Sequence, residues 1–372
     1  MIFHIFLACA SNLDGESAAL DTIDTVNFVP DNTADTAVEP VDDSADFFDS
    51  GETEDSGDPP ASPVTALSLV QERLVGGTSI WAYPIFSGEE MWLSTMQNGQ
   101  VSIVPIDYGL EFIGTPIPIS EQQDLRPNVT VADHAFTEWN GNFYFAVSGA
   151  GDEDLVLIQT DNKGLRLGSV ILQRGFDVPT NDPHIVHTAD QVCVRWGISG
   201  PSKKVHCFDE QLNSTDGVQD IPSPVNVPQL GMTVWHDQEY WTFTGEETQR
   251  SLAYHRFTSD WVPIEPGFQN IIIPSENDEW NWFSSGVVYH EIRDIWVVAY
   301  THMASTGNAD TDATVRIALF DGMFNLLQME EISGPGYTRP HIALQDDELL
   351  VAYDSANEVW LEHWQLTDVY PD

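Results

Sequence analysis

Three short segments of this 372-residue chain place polar side chains around a proline just where an apolar run begins. They are Asn181-Asp182-Pro183-His184-Ile185, Thr338-Arg339-Pro340-His341-Ile342 and Leu125-Arg126-Pro127-Asn128-Val129. Carboxylate, guanidinium and imidazole groups at such entrances can bond sugar hydroxyls, pair with charged groups or exchange protons. A bland reading is also open, because proline presets the turn into a strand and its polar neighbours then serve the backbone. The ligand-binding candidates are therefore Arg126, Asp182, His184, Arg339 and His341, joined by Trp282 and His302. Trp282 belongs to Trp280-Asn281-Trp282-Phe283, which follows Asn277-Asp278-Glu279 and suits stacking on a sugar ring, although the cluster could equally fill a core. His302 opens a polar loop that ends at Asp310-Thr311-Asp312, where Asp310 and Asp312 offer a weak set of oxygen ligands for calcium. Asp152, Glu153 and Asp154 offer another, and neither has the full spacing of a calcium loop. No other cofactor is implied. If the chain is a hydrolase, Asp182 with Asp278 or Glu279 supplies its acid and base.

Other chemistries are excluded. His290-Glu291-Ile292-Arg293-Asp294 lacks the second histidine of a zinc-protease helix, and neither a Gly-x-Ser-x-Gly elbow nor a phosphate loop occurs. The chain carries 59 acids against 13 bases, for a net charge of −46. That balance argues against nucleic acid and against anionic membrane surfaces, both of which require clustered Lys and Arg. It favours solubility and is compatible with a saline setting or divalent cations.

The elements that must position the candidates recur about every 50 residues from Gly76 onward. An apolar strand leads into a polar turn and an aromatic, alternating second strand. The last copy is the clearest: His341-Ile342-Ala343-Leu344, then Asp346-Asp347, then Leu349-Leu350-Val351-Ala352-Tyr353. Such a period, with several short strands per copy, predicts a β-propeller. Six second strands can be indexed, beginning near Glu90, Asn142, Gln191, Glu239, Ile295 and Leu349, so the expected fold is all-β with six four-stranded blades. The sixth copy lacks an outer strand, and Val64–Val70 is expected to supply it, closing the ring and removing its free edges. In that fold the three proline-marked entrances share one face, around the mouth of the central channel. A hairpin centred on Gly200 pairs residues whose numbers sum to 400, which puts Cys193 opposite Cys207 and predicts a disulfide over two buried thiols.

The domain therefore spans residues 64–372. Residues 10–63 hold 15 Asp or Glu and no Lys or Arg, a composition expected to stay disordered and extended. Residues 1–9, Met1-Ile2-Phe3-His4-Ile5-Phe6-Leu7-Ala8-Cys9, resemble the end of a bacterial lipoprotein signal. That resemblance implies lipidation at Cys9 and a cell-surface or outer-membrane location, with secretion after cleavage as the alternative. The segment departs from the pattern in having no basic residue before its apolar run and in carrying Phe6 where leucine is usual.

The Arg-Pro and Asp-Pro entrances also resemble those of sialidases and of five-bladed glycosidases. The first resemblance implies an arginine clamp on a sugar carboxylate, for which Arg126 and Arg339 are the candidates. The Ser-x-Asp-x-Gly-x-x-Trp turns usual in sialidases are absent. The expected function is a secreted or surface-anchored module, monomeric, binding glycan or protein at the channel mouth, with membrane contact only through its lipid anchor. A glycoside hydrolase is the enzymatic alternative and a structural envelope protein the third.

Overall fold

In the computed structural model the described residues are 64–369, apart from 77–79, 122, 128, 151–153, 176–182, 198–201, 223–231, 247–250, 266–269, 274–279, 304–308 and 356–357. They form six four-stranded antiparallel sheets. The inner strands are Ile80–Ser87, Val131–Trp139, His184–His187, Thr233–His236, Trp280–His290 and Thr338–Gln345 in blades 1 to 6. Each touches the inner strand of the next blade, and the last touches the first, so the ring closes. The second strands, such as Ile295–Met303 with every residue buried, are mostly apolar on both faces because each blade is covered by its neighbours.

Blade 6 is closed as expected, but over a greater length. Val64–Gly76 pairs with Glu358–Val369 from Val64 opposite Val369 to Gly76 opposite Glu358. The segment His290–Asp294 secures this closure. His290 Nε2 lies 3.1 Å from Asp347 Oδ1, and Arg293 donates to both Asp347 oxygens, at 2.6 and 3.0 Å. Arg293 also pairs with Asp368 and reaches Thr65, so blade 5, blade 6 and the closing strand share one cation.

The turn into each outer strand is a second repeat, and no composition signal announced it. In Asp107–Glu111, Asp161–Leu165, Asp209–Asn213, Thr258–Val262 and Asp321–Asn325, the first residue accepts backbone N–H bonds through its own side chain. The fourth residue is left-handed in all five: Leu110, Gly164, Leu212, Trp261 and Phe324 have φ between 59° and 80°. A bulky left-handed residue costs roughly 1–2 kcal/mol. The side-chain cap and the burial of Leu110 and Trp261 between blades offset it. Blade 6 has no such turn because its outer strand comes from the other end of the domain.

Cys193 faces Cys207 in register and the two form a disulfide across the hairpin of blade 3.

Candidate functional site at the channel mouth

The mouth is built from the first residues of the inner strands, and four of these strands are interrupted there by a register shift. The shifts fall between Ile80 and Tyr83, Val131 and Asp133, Trp282 and Gly286, and Thr338 and His341. Such bulges re-aim side chains and end pairing. In blades 1 and 6 the bulged residues include Trp81 and Arg339, both left-handed at φ 62° and 57°. Two bulky residues in that region store strain that the surrounding structure must sustain.

They face each other. The Arg339 guanidinium lies 4.4 Å from the centroid of the Trp81 ring. Between them sits Asp354, at the end of the second strand of blade 6 and 1% exposed. Its Oδ2 accepts the Trp81 N–H at 2.6 Å, and its Oδ1 lies 3.7 Å from Arg339 Nη1. Burial outweighs these two favourable contacts and pushes the Asp354 carboxyl up to about 6. The Arg339 N–H donates to Thr301 Oγ1 at 3.1 Å, fixing the entrance to blade 5.

Below this set the throat is aromatic. His341 stacks on Tyr83 with ring centroids 3.7 Å apart, and His134 meets the same Tyr83 ring edge-on at 4.9 Å. His134 Nε2 bonds Ser94 Oγ at 2.8 Å. Burial lowers His134 to about 3. Burial, followed by the neighbouring His184, His134 and Arg339, lowers His341 well below the ordinary imidazole range. Both rings are therefore neutral at pH 7 and serve the throat as packed, weakly polar walls.

The blade 2 entrance is saturated instead. Asp154 Oδ2 accepts the Arg126 N–H at 2.7 Å and Arg174 Nη1 at 2.9 Å, while Oδ1 accepts Arg126 Nε at 2.9 Å. Burial opposes its ionisation, but the Arg126 N–H and the Arg174 and Arg126 guanidinium groups together hold the carboxyl below its usual range. Asp154 is thus engaged by two arginines, which removes the freedom a calcium ligand would need.

The sequence-derived candidates separate accordingly. Arg339 and His341 come together with Trp81, Tyr83 and Asp354. Arg126 belongs to the Asp154 cluster. His184 is the buried first residue of blade 3's inner strand, opposite Arg195. His302 is buried within a strand rather than exposed in a loop, because the second strand of blade 5 runs on to Met303. Asp182, Asp278, Glu279 and Cys9 lie outside the described residues, as do the side chains of Trp282 and Asp310. Asp310 and Asp312 fall in a four-residue helix, Ala309–Asp312, where the exposed Asp312 accepts the Thr311 hydroxyl at 3.0 Å. Among the described residues no group of three His, Cys, Asp or Glu is placed to hold a metal ion. Trp81 and Asp354 were missed, because neither sits beside a proline and only the bulges bring them to Arg339.

Fold and site define a six-bladed propeller with a strained, charged mouth at the junction of its first and last blades. The sequence matches no described protein family and no curated protein. Solved propeller structures resemble it in fold. A sialidase from Trypanosoma rangeli, bound to the inhibitor DANA, is 11% identical with a TM-score of 0.54, over 78% of this chain and 55% of that one. A neuraminidase-like protein from a little yellow-shouldered bat isolate is 8% identical with a TM-score of 0.52, over 81% of this chain and all of that one. An endo-arabinanase from Bacillus licheniformis is 16% identical with a TM-score of 0.44, over 66% of this chain and 96% of that one.

Proposed function

We propose that the protein is a glycan-binding propeller whose ligand sits at the mouth between blades 1 and 6. The observation that carries this reading is the convergence of Trp81, Arg339 and Asp354 on two adjoining bulges. Indole, guanidinium and carboxyl groups supply an apolar platform and directional partners for ring hydroxyls. The fold likeness to a sialidase and to a neuraminidase-like protein, both carbohydrate-directed by name, supports the same class of ligand. In this reading Cys9 carries a lipid, residues 10–63 space the propeller from the cell surface, and calcium binds weakly near Asp310 and Asp312.

One observation favours hydrolysis as a second reading. Asp354, at about 6, lies in the range of a carboxylic acid able to donate a proton near neutral pH. Hydrolysis needs a second carboxylate about 5–10 Å away, a role left to Asp182, Asp278 or Glu279. The full chain, screened on a glycan array and on chromogenic glycosides with and without calcium, separates the readings. Binding without turnover is the expected result, turnover abolished by Asp354→Asn identifies a hydrolase, and silence in both assays would point to a protein ligand.

A further inference from the structure

Arg195 lies next to the end of the second strand of blade 3, in register with His184 and Val205. Its side chain leaves the blade towards blade 4 and is 2% exposed. There Nη1 donates to the hydroxyls of Thr233 and Thr242, the latter at 2.9 Å, and the guanidinium lies 5.6 Å from the Trp261 ring centroid. Among the described residues no carboxylate is within ion-pair distance of it, and its Nε–H has no acceptor. A buried charge without a counter-ion is strongly destabilising. In a chain with 59 acids and 13 bases, a shortage of carboxylates does not explain the omission.

Two neighbouring side chains are buried with it. Thr244, two positions beyond Thr242 on the same strand, is 2% exposed and its hydroxyl has no partner among the described residues. His255, opposite Thr242 in register, is driven to about 2 by burial and by the positive charges of Arg195 and Lys203. Deeper in the same interface Cys193, Val205, Tyr240, Phe257 and Trp261 form an apolar cluster, so these polar groups are confined to the end nearest the mouth. Thr233, the first residue of blade 4's inner strand, marks that end.

We propose that this polar end of the interface between blades 3 and 4 is a carboxylate-binding subsite, with Arg195 Nε–H and the Thr244 hydroxyl, unpartnered among the described residues, as its donors. A carboxylate fits one guanidinium and one hydroxyl, whereas a phosphate or sulfate dianion would need a second uncommitted cation. The anion is either a small free carboxylate or the carboxylate of an acidic sugar reaching in from the mouth. The subsite stands apart from Trp81, Arg339 and Asp354 and does not depend on the glycan reading.

Isothermal titration of the full chain with formate and with glucuronate at fixed ionic strength, with glucose as the uncharged control, tests it. Both carboxylates are expected to bind and glucose is not. Arg195→Met should weaken binding at least tenfold, Thr244→Val several-fold, and Arg339→Ala should leave formate affinity unchanged. Glucuronate at least tenfold tighter than formate would identify the acidic sugar as the source, and equal or weaker binding the free carboxylate. Should Arg195→Met fail to fold, Thr244→Val, which keeps the charge, decides. Absence of binding to the wild type, or affinities unchanged in both variants, overturns the subsite.

Discussion

Arg126 and Arg339 enter the propeller through the same Arg-Pro dipeptide, yet the carboxyl groups beside them are held in opposite ways. Asp154 receives three charge-assisted or backbone hydrogen bonds and stays ionised below its usual range. Asp354 receives one backbone hydrogen bond and a distant guanidinium, and burial raises it to about 6. Arg174 makes the difference at blade 2, because it supplies a second cation and ties Asp124 into the same cluster. Among the described residues Arg339 has no such helper, and it spends its face on Trp81 instead. One entrance therefore acts as scaffold. The other keeps a carboxyl oxygen without a hydrogen-bond partner among the described residues and a strained backbone, which is the condition expected of a site awaiting a ligand.

The largest effect should come from breaking the saturated entrance. Asp154→Asn leaves Arg126 and Arg174 sharing a neutral acceptor and is expected to lower unfolding free energy by about 3 kcal/mol in urea titrations at pH 7. A loss under 1 kcal/mol would erase the contrast. Asp354→Asn should act in the opposite direction. A carboxyl raised in the folded state contributes most stability below its unfolded value near 3.8 and loses it as pH rises through about 6. The amide is therefore expected to stabilise the protein by about 1–3 kcal/mol at pH 7 and by nothing measurable at pH 4.

The throat histidines give a pH signature of their own. His134 is lowered to about 3, so its contribution is full above the unfolded value near 6.5 and is lost as pH falls towards 3. At pH 4 the cost from His134 alone is about 3 kcal/mol, and His134→Gln should flatten the acid limb of the stability profile. Ligand binding separates the two arginines next. Arg339→Ala should weaken glycan binding at least tenfold with little change in melting temperature, whereas Arg126→Ala should cost about 1 kcal/mol of stability and leave binding intact. The smallest effect calibrates the scaffold: Asp321→Ala removes a turn cap that accepts the Met323 and Asn325 N–H groups, and should cost about 1 kcal/mol without touching binding.

Legibility varied with the range of the interaction that sets each feature. The disulfide was readable because a hairpin fixes register locally, so the positions of Cys193 and Cys207 around Gly200 were enough. The turn repeat was harder, since its defining residue is left-handed Leu110, Leu212, Trp261 or Phe324, and none of these advertises that conformation. His302 was misplaced into a loop because nothing local ends a strand there, and pairing with Thr314 extends it. Arg339 and His341 were found through their proline. Trp81 and Asp354 were not, since their meeting depends on bulges in two strands that begin about 260 residues apart.

By itself the sequence determined the period, the six blades, the closing strand and the disulfide, because each follows from alternation, turn chemistry and hairpin register. The tertiary structure alone decided which of two identical dipeptides became scaffold. Charge state depends on how many donors converge on a buried carboxyl, and those donors arrive from segments that are neighbours only once the ring has closed.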